Sequence, residues 1–293
     1  MNKMVRLAER LEYATANDPA RNYCLWDYIP IAPVEDNFRS VNLLYQSFDY
    51  ADIDDRAYII VDAIRDAIAP FRTVFGIKLV GESLAWEFYF YDYARKEREV
   101  SATRVLRAIA PWVSCDLVVD EHIPYFMASL DLNVDIAAGR RGLDVVNLYI
   151  GNPGSTVSSG IAYALRHDGC RLQNLYFFFD AKTQLNMAAE KIVCSAHMDG
   201  SRVPIDAILI PELRDCQTIC VANKQDHDCI YFSGITVDQF IHFLKHLDYP
   251  EPLQSFVAEH RTLLSHLLFD VGLDYRGLGD DLVVLRSGYY GVF

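Results

Sequence analysis

A carboxylate and two phenols share one face of a short segment, Leu84–Tyr93 (LAWEFYFYDY). Side chains alternate along a strand, so Glu87, Tyr89 and Tyr91 fall on one side and Trp86, Phe88 and Phe90 on the other. Both faces are bulky, but only one carries a charge and hydroxyls. A strand between an apolar layer and a polar, aromatic-lined cavity has this composition. Glu87 in such a cavity either does chemistry, as a proton acceptor or metal ligand, or pairs with a neighbouring cation such as Lys78. The pattern recurs. In Tyr125–Val134, Ser129, Asp131 and Asn133 oppose Ala128, Leu130 and Leu132; in Asp144–Ile150, Asn147 and Tyr149 oppose Val146 and Leu148. In Cys229–Gly234, Tyr231 and Ser233 oppose Ile230 and Phe232, and near the end of the chain Arg286, Gly288 and Tyr290 share a face. Carboxylates, tyrosines, an asparagine and an arginine on one set of strand faces describe a ligand chamber.

Positioning these residues requires many strands. The first seventy residues read as helical, with Met4–Ala14, Val34–Phe48 and Asp54–Ile68 as segments, the last burying Ile59, Ile60, Ala63, Ile64 and Ala67. Beyond Phe71, strand pairs are expected at Arg72–Val80 with Leu84–Tyr93, Tyr125–Val134 with Asp144–Ile150, and Leu172–Asp180 with Gln184–Val193. Two more follow, Gln217–Asn223 with Cys229–Gly234 and Leu267–Tyr275 with Leu282–Tyr290. Helices are expected at Glu99–Ile109, Val157–Leu165 and Thr236–Leu247. No linker-like stretch interrupts them. The expectation is therefore one domain over 1–293, with helices of 1–70 packed outside a barrel formed by 71–293. The fold class is α+β: ten antiparallel strands closed into a barrel ringed by helices, or an open sheet backed by helices. Closure removes both edges of so long a sheet. Ten strands make a lumen too wide for their own side chains to fill, and the polar-aromatic faces favour that arrangement.

Composition narrows the partners. The 27 Lys and Arg residues against 40 Asp and Glu give a net charge of −13, which argues against nucleic acid and membrane surfaces. Seven scattered cysteines suit a reducing compartment, and neither a signal peptide nor a membrane span is legible, so a cytoplasmic location is expected.

The element order from Phe71 to Phe293 resembles the ABBA-type aromatic prenyltransferases, soluble barrels of ten antiparallel strands ringed by helices. Three short stretches carry the likeness. LAWEFYF resembles the family's second strand, which presents a carboxylate, here Glu87, to the lumen. QLN is similar to a strand with an asparagine, here Asn186, near the diphosphate; LRSGYYGVF resembles the last strand, implying that Arg286 contacts diphosphate and Tyr290 lines the chamber. The resemblance implies transfer of a prenyl group from an allylic diphosphate to an aromatic acceptor, a small molecule or a peptide side chain, of the kind met in secondary metabolism. It implies Lys78 and Arg286 on the diphosphate, Glu87 and Asp131 on Mg²⁺ or the transferred proton, and no organic cofactor. Tyr89, Tyr91, Tyr149, Tyr231 and Tyr290, with Asn147, would surround the substrates, tyrosine faces shielding a carbocation. Inward carboxylates (Glu87, Asp131, Glu190, Asp270, Asp274) outnumber the inward cations Arg286 and Lys78, which Arg276 or Lys224 joins only on a different register, so a diphosphate calls for bridging Mg²⁺. The alternatives are a non-catalytic barrel that binds a small molecule or peptide and has lost the diphosphate clamp, and an unrelated α+β interaction protein with no chamber.

Three further groupings are weaker. Gly151–Ser155 ahead of an expected helix offers amides to an anion, but reads more simply as a turn. Cys216, Cys220, His227 and Cys229 lack a standard zinc spacing, and His242 and His246 lack the glutamate of a metalloprotease helix.

Overall fold

Alternating apolar and polar faces need a greasy layer on one side only, and here helices supply it from outside. The structure is a computed structural model and describes residues 9–95, 98–151 and 159–293. Ten antiparallel strands close into a barrel in the order β1-β10-β9-β8-β7-β6-β5-β4-β3-β2. They are β1 Thr73–Val80, β2 Ser83–Tyr91, β3 Met127–Leu132, β4 Val146–Gly151, β5 Ser159–Arg166, β6 Gly169–Asp180, β7 Thr218–Lys224, β8 Asp228–Ile235, β9 Phe269–Leu278 and β10 Asp281–Val292. Five hairpins run around the barrel, and β1 completes it by pairing with both β2 and β10. Among the described residues, eight α-helices accompany the strands: α1 Val41–Ala51, α2 Arg56–Ile68, α3 Ala102–Ile109, α4 Val134–Ala137, α5 Leu185–Val193, α6 Val237–His246, α7 Glu251–Glu259 and α8 Arg261–Leu264. This is the closed α+β barrel expected from the strand faces. No helix among the described residues is long and apolar enough to cross a membrane.

The outward strand faces meet the helices. Trp86 on β2 is fully buried, its indole N–H donates to Ser47 Oγ on α1 at 2.8 Å, and its ring meets Phe48 edge-on at 5.3 Å. Around the barrel past β1, Phe240 of α6 stacks on Phe269 of β9 at 4.6 Å and meets Tyr289 of β10 at 5.1 Å. A capping box starts α6: Thr236 Oγ1 accepts from the Gln239 amide, and Gln239 Oε1 accepts from the Thr236 amide.

Two segments exchange the roles expected of them. Val157–Leu165, read as a helix, lies in a strand from Ser159 onward; residues 157 and 158 fall outside the described set. Gln184–Val193, read as a strand, is helix α5. The third hairpin is therefore β5 with β6. Ile161, Ala162 and Leu165 satisfy a helical spacing by chance, whereas Gly160, Ala162 and Ala164 mark the face that turns into the crowded lumen. In α5, Leu185, Ala188, Ala189 and Ile192 hold the true period of 3.6, and Met, Ala, Glu and Lys favour a helix.

The first seventy residues also depart from expectation. Residues 4–8 of the segment Met4–Ala14 lie outside the described set, and Glu9–Ala14 is a turn plus an isolated bridge, Tyr13 with Phe38. The helix read from Val34 begins at Val41. In α2 the buried stripe is Ala57, Tyr58, Ile60, Val61, Ile64 and Ile68, leaving Ile59 exposed. Asn133, read as inward, instead caps α4, its Oδ1 accepting from the Asp135 and Ile136 amides at 3.0 and 2.9 Å. The segment around Asn22–Leu25 crosses one end of the barrel, where the Tyr93 hydroxyl donates to the Cys24 carbonyl at 2.7 Å and the Tyr91 hydroxyl to the Tyr23 carbonyl.

Candidate functional site

The lumen is built in layers. At its middle, Tyr89, Tyr149, Tyr176, Tyr231 and Tyr290 project from β2, β4, β6, β8 and β10. Their ring centroids stand 6.3, 6.1, 6.5, 6.0 and 6.1 Å apart in turn, so the five rings close a circuit. Each tyrosine faces a small residue on the adjoining odd-numbered strand: Tyr89 with Ser129, Tyr149 with Ala162, Tyr176 with Ala222, Tyr231 with Gly272 and Tyr290 with Gly76. Alternating large and small residues let five rings share one level of a ten-stranded barrel. The fit is tight: a Cβ on Gly272 would lie 2.5 Å from Tyr231 Cδ1, and one on Gly76 would lie 2.7 Å from Tyr290 Cε1. Burial raises all five phenol pKa values well above the ordinary range, so the ring is neutral.

Above the ring lies a polar cavity of about 500 Å³. Two residues before each tyrosine, its strand places Glu87, Asn147, Asn174, Cys229 or Gly288 there. The odd-numbered strands add Lys78, Asp131, Lys224 and Asp274, and Arg286 and His227 sit near the opening. Below the ring the lining is apolar (Val74, Met127, Phe178) and the free space falls to about 50 Å³.

Charge in the polar storey is organised in two groups. Glu87 is the first centre. Its Oε2 accepts from Lys78 Nζ and, at 2.7 Å, from the Tyr89 hydroxyl; its Oε1 accepts from Ser129 Oγ and, at 3.3 Å, from the Tyr149 hydroxyl. Burial pushes its carboxyl pKa up, but the Lys78 charge and these donors outweigh it and leave the pKa below the usual range. Asp131 stands beside it, 3.5 Å from Lys78. Asp274 is the second centre. Lys224 Nζ lies 2.9 and 2.8 Å from its two oxygens, His227 Nε2 lies 2.9 Å from Oδ2, and Arg286 Nε also donates to Oδ2. Burial again opposes ionisation, and Lys224, His227 and Arg286 together hold this carboxyl well below the usual range. Because β10 pairs with β1, Lys78 lies opposite Gly288, two residues from Arg286. The two centres thus bring their cations toward one another across a residue with no side chain.

Lys78, Glu87, Tyr89, Asp131, Asn147, Tyr149, Tyr231, Arg286 and Tyr290 all line this cavity. Tyr91 lies below the tyrosine ring and holds the Asn22–Leu25 segment. Asn186 is not in the barrel: it is exposed on α5, because the segment read as a strand is a helix, and Glu190 is exposed on the same helix. Sequence reading missed Tyr176, and His227 as part of this site. A repeated tripeptide marks the tyrosine: Asn147-Leu148-Tyr149 on β4 and Asn174-Leu175-Tyr176 on β6. Lys224, read from the sequence as inward only on a different register, ends β7 and reaches Asp274.

Both Glu87 oxygens are already acceptors for N–H or O–H groups, which leaves Asp131 as the carboxylate that would meet a Mg²⁺, its shell completed by water and substrate phosphate oxygens. No group of three or more His, Cys, Asp or Glu suited to a metal exists among the described residues. Accordingly Cys216, Cys220 and Cys229 do not gather a metal site with His227, whose ring nitrogens face Asp226 and Asp274. His242 and His246 stack on each other along α6. Of Gly151–Ser155, residues 152–155 lie outside the described set, and a strand rather than a helix follows.

Asp270, at the base, has an environment unlike the other two carboxylates. It accepts from the Tyr23 amide at 2.7 Å, the Gly234 amide at 3.1 Å and Ser233 Oγ at 2.5 Å, with no cation among these partners. Burial pushes its pKa up to about 6. A raised carboxyl pKa stabilises the fold below the unfolded value near 4, and that contribution is lost as pH rises through about 6. Urea unfolding of Asp270→Asn and the parent at pH 4 and pH 7 should therefore shift in favour of the variant at pH 7, by up to about 3 kcal/mol. An unchanged difference between the two pH values would contradict the assignment.

The sequence matches no known protein-family model and no curated protein.

Proposed function

We propose that this barrel transfers a prenyl group from an allylic diphosphate to an aromatic acceptor. One observation carries the reading: a closed ring of five neutral tyrosines directly beneath a polar storey holding Lys78, Lys224 and Arg286. An allylic diphosphate has that two-part chemistry. Its diphosphate takes the cations, and its hydrocarbon part extends to the rings. The C1–O bond breaks with its electron pair leaving on the diphosphate. The tyrosine faces, negative at their centres, stabilise the allyl cation and exclude water. The acceptor ring supplies the electron pair of the new bond to C1 and then releases a proton. Glu87 is a poor base for that proton, because its lone pairs are engaged and its pKa is depressed. Asp131, whose carboxylate meets Lys78 at 3.5 Å, takes it. Glu87 instead orients Lys78 and the hydroxyls of Tyr89 and Tyr149. No step passes through a metal.

The second reading is a non-catalytic barrel for a small molecule or peptide. It is favoured by the pairing of Lys78 with Glu87, and of Lys224 and Arg286 with Asp274. Calorimetric titration with dimethylallyl and geranyl diphosphate, with and without Mg²⁺, separates the two. The transferase reading expects saturable binding of at least one; binding of apolar ligands with no dependence on the diphosphate supports the second.

A further inference from the structure

Asp274 is 4% exposed, and the three nitrogen donors that reach it all come from basic side chains: Lys224, His227 and Arg286. They arrive from β7, the β7–β8 turn and β10, converging on one residue of β9. Glu87 differs, since hydroxyls as well as a lysine fill its oxygens. An anion entering the polar storey meets cations already bonded to a carboxylate, and it gains their full attraction only by drawing them off it. We propose that Asp274 is a built-in competitor for the phosphate subsite: it keeps Lys224, His227 and Arg286 gathered in the free protein and sets a threshold that a diphosphate passes and a single phosphate does not. The inference rests on the transferase reading for its ligand class, but it concerns selectivity, which prenyl transfer does not by itself require.

The geometry suits this exchange. Arg286 is about a third exposed at its side chain while Lys224 and Asp274 are nearly enclosed, so one donor is poised to swing toward an incoming anion and the others anchor the site. Gly288 leaves the strand face between Arg286 and Lys78 without a side chain, so the same anion reaches Lys78. Diphosphate, with two phosphoryl groups, can engage several of these donors together; orthophosphate replaces fewer of the bonds that it breaks.

The test compares the parent protein with Asp274→Ser, titrated with inorganic diphosphate and with orthophosphate at fixed ionic strength. The variant should bind diphosphate at least about tenfold more tightly, and orthophosphate should gain by a larger factor, narrowing the preference between them. Removing a buried carboxylate also weakens the fold, so two further readouts accompany the titration. Diphosphate should raise the melting temperature of the variant more than that of the parent. In the parent, added diphosphate should move the ¹⁵N resonances of the His227 ring, while sodium chloride at equal ionic strength should not. Weaker or unchanged diphosphate binding by the variant, no binding by either protein, or an unmoved His227 resonance at saturation overturns the proposal. Prenyl transfer by the parent is assayed separately. Transfer without the gain in Asp274→Ser sinks this inference alone; the gain without transfer supports it and sinks the transferase reading.

Discussion

Glu87→Leu should destabilise the protein by about 3–5 kcal/mol, the order of the cost of breaking a buried ion pair. The variant takes from Lys78, whose side chain is 17% exposed, its closer carboxylate, leaving it Asp131 at 3.5 Å, and deprives the Ser129, Tyr89 and Tyr149 hydroxyls of their acceptor. Adding Lys78→Met to Glu87→Leu should recover a large part of the loss, because a matched apolar pair carries no uncompensated charge. Urea unfolding at pH 7 measures both. The deficit of the single variant should shrink in acid. The depressed Glu87 pKa contributes stability above the unfolded value, and that contribution is lost as pH falls through the folded one. A single variant within 1 kcal/mol of the parent, or a double variant no better than the single, would show that Glu87 is not the hub of this group.

If the barrel transfers prenyl groups as proposed, Tyr290→Leu should lower that rate by about tenfold or more while Tyr290→Phe stays close to the parent. Tyr290 has three ring neighbours, Tyr89, Tyr231 and Tyr23, at 6.1, 6.0 and 6.1 Å, so it is central to the aromatic lining. A cation over a desolvated ring gains about 2 kcal/mol, which phenylalanine keeps and leucine loses. Diphosphate binding, made in the storey above, should be similar in all three proteins. Equal losses in Leu and Phe would assign the effect to the hydroxyl, and a parallel loss of diphosphate binding would mean that the two storeys are not separate.

The legible part of this site is the part that depends on local alternation. Glu87 and Tyr89, or Asn147 and Tyr149, are two residues apart in one strand, so parity alone places them on one face. Closure and long-range pairing carry the rest. That Arg286 approaches Lys78 depends on β10 meeting β1, and that Asp274 collects Lys224, His227 and Arg286 depends on three strands and a turn in correct register. Asn186 illustrates the cost of a wrong period: one helix read as a strand moved a residue from the outside of the barrel into its lumen. The exchange of β5 and α5 had a local cause, since Ser159–Arg166 fits either period, and its pairing with β4 and β6 makes it a strand. The expected excess of inward carboxylates over cations shrinks for two reasons: Lys224 reaches the lumen from the end of β7, and Glu190 lies on helix α5.

The central claim is that one chamber holds an anionic head above and a hydrocarbon chain against the tyrosine ring. A crystal structure with a geranyl thiolodiphosphate, whose C–S bond resists ionisation, tests it most directly. The diphosphate should lie among Lys78, Lys224 and Arg286, with Arg286 drawn from Asp274 and the chain directed at Tyr89, Tyr231 and Tyr290. A chamber left empty at saturating ligand, or a ligand lying with its diphosphate away from those three cations, would contradict it.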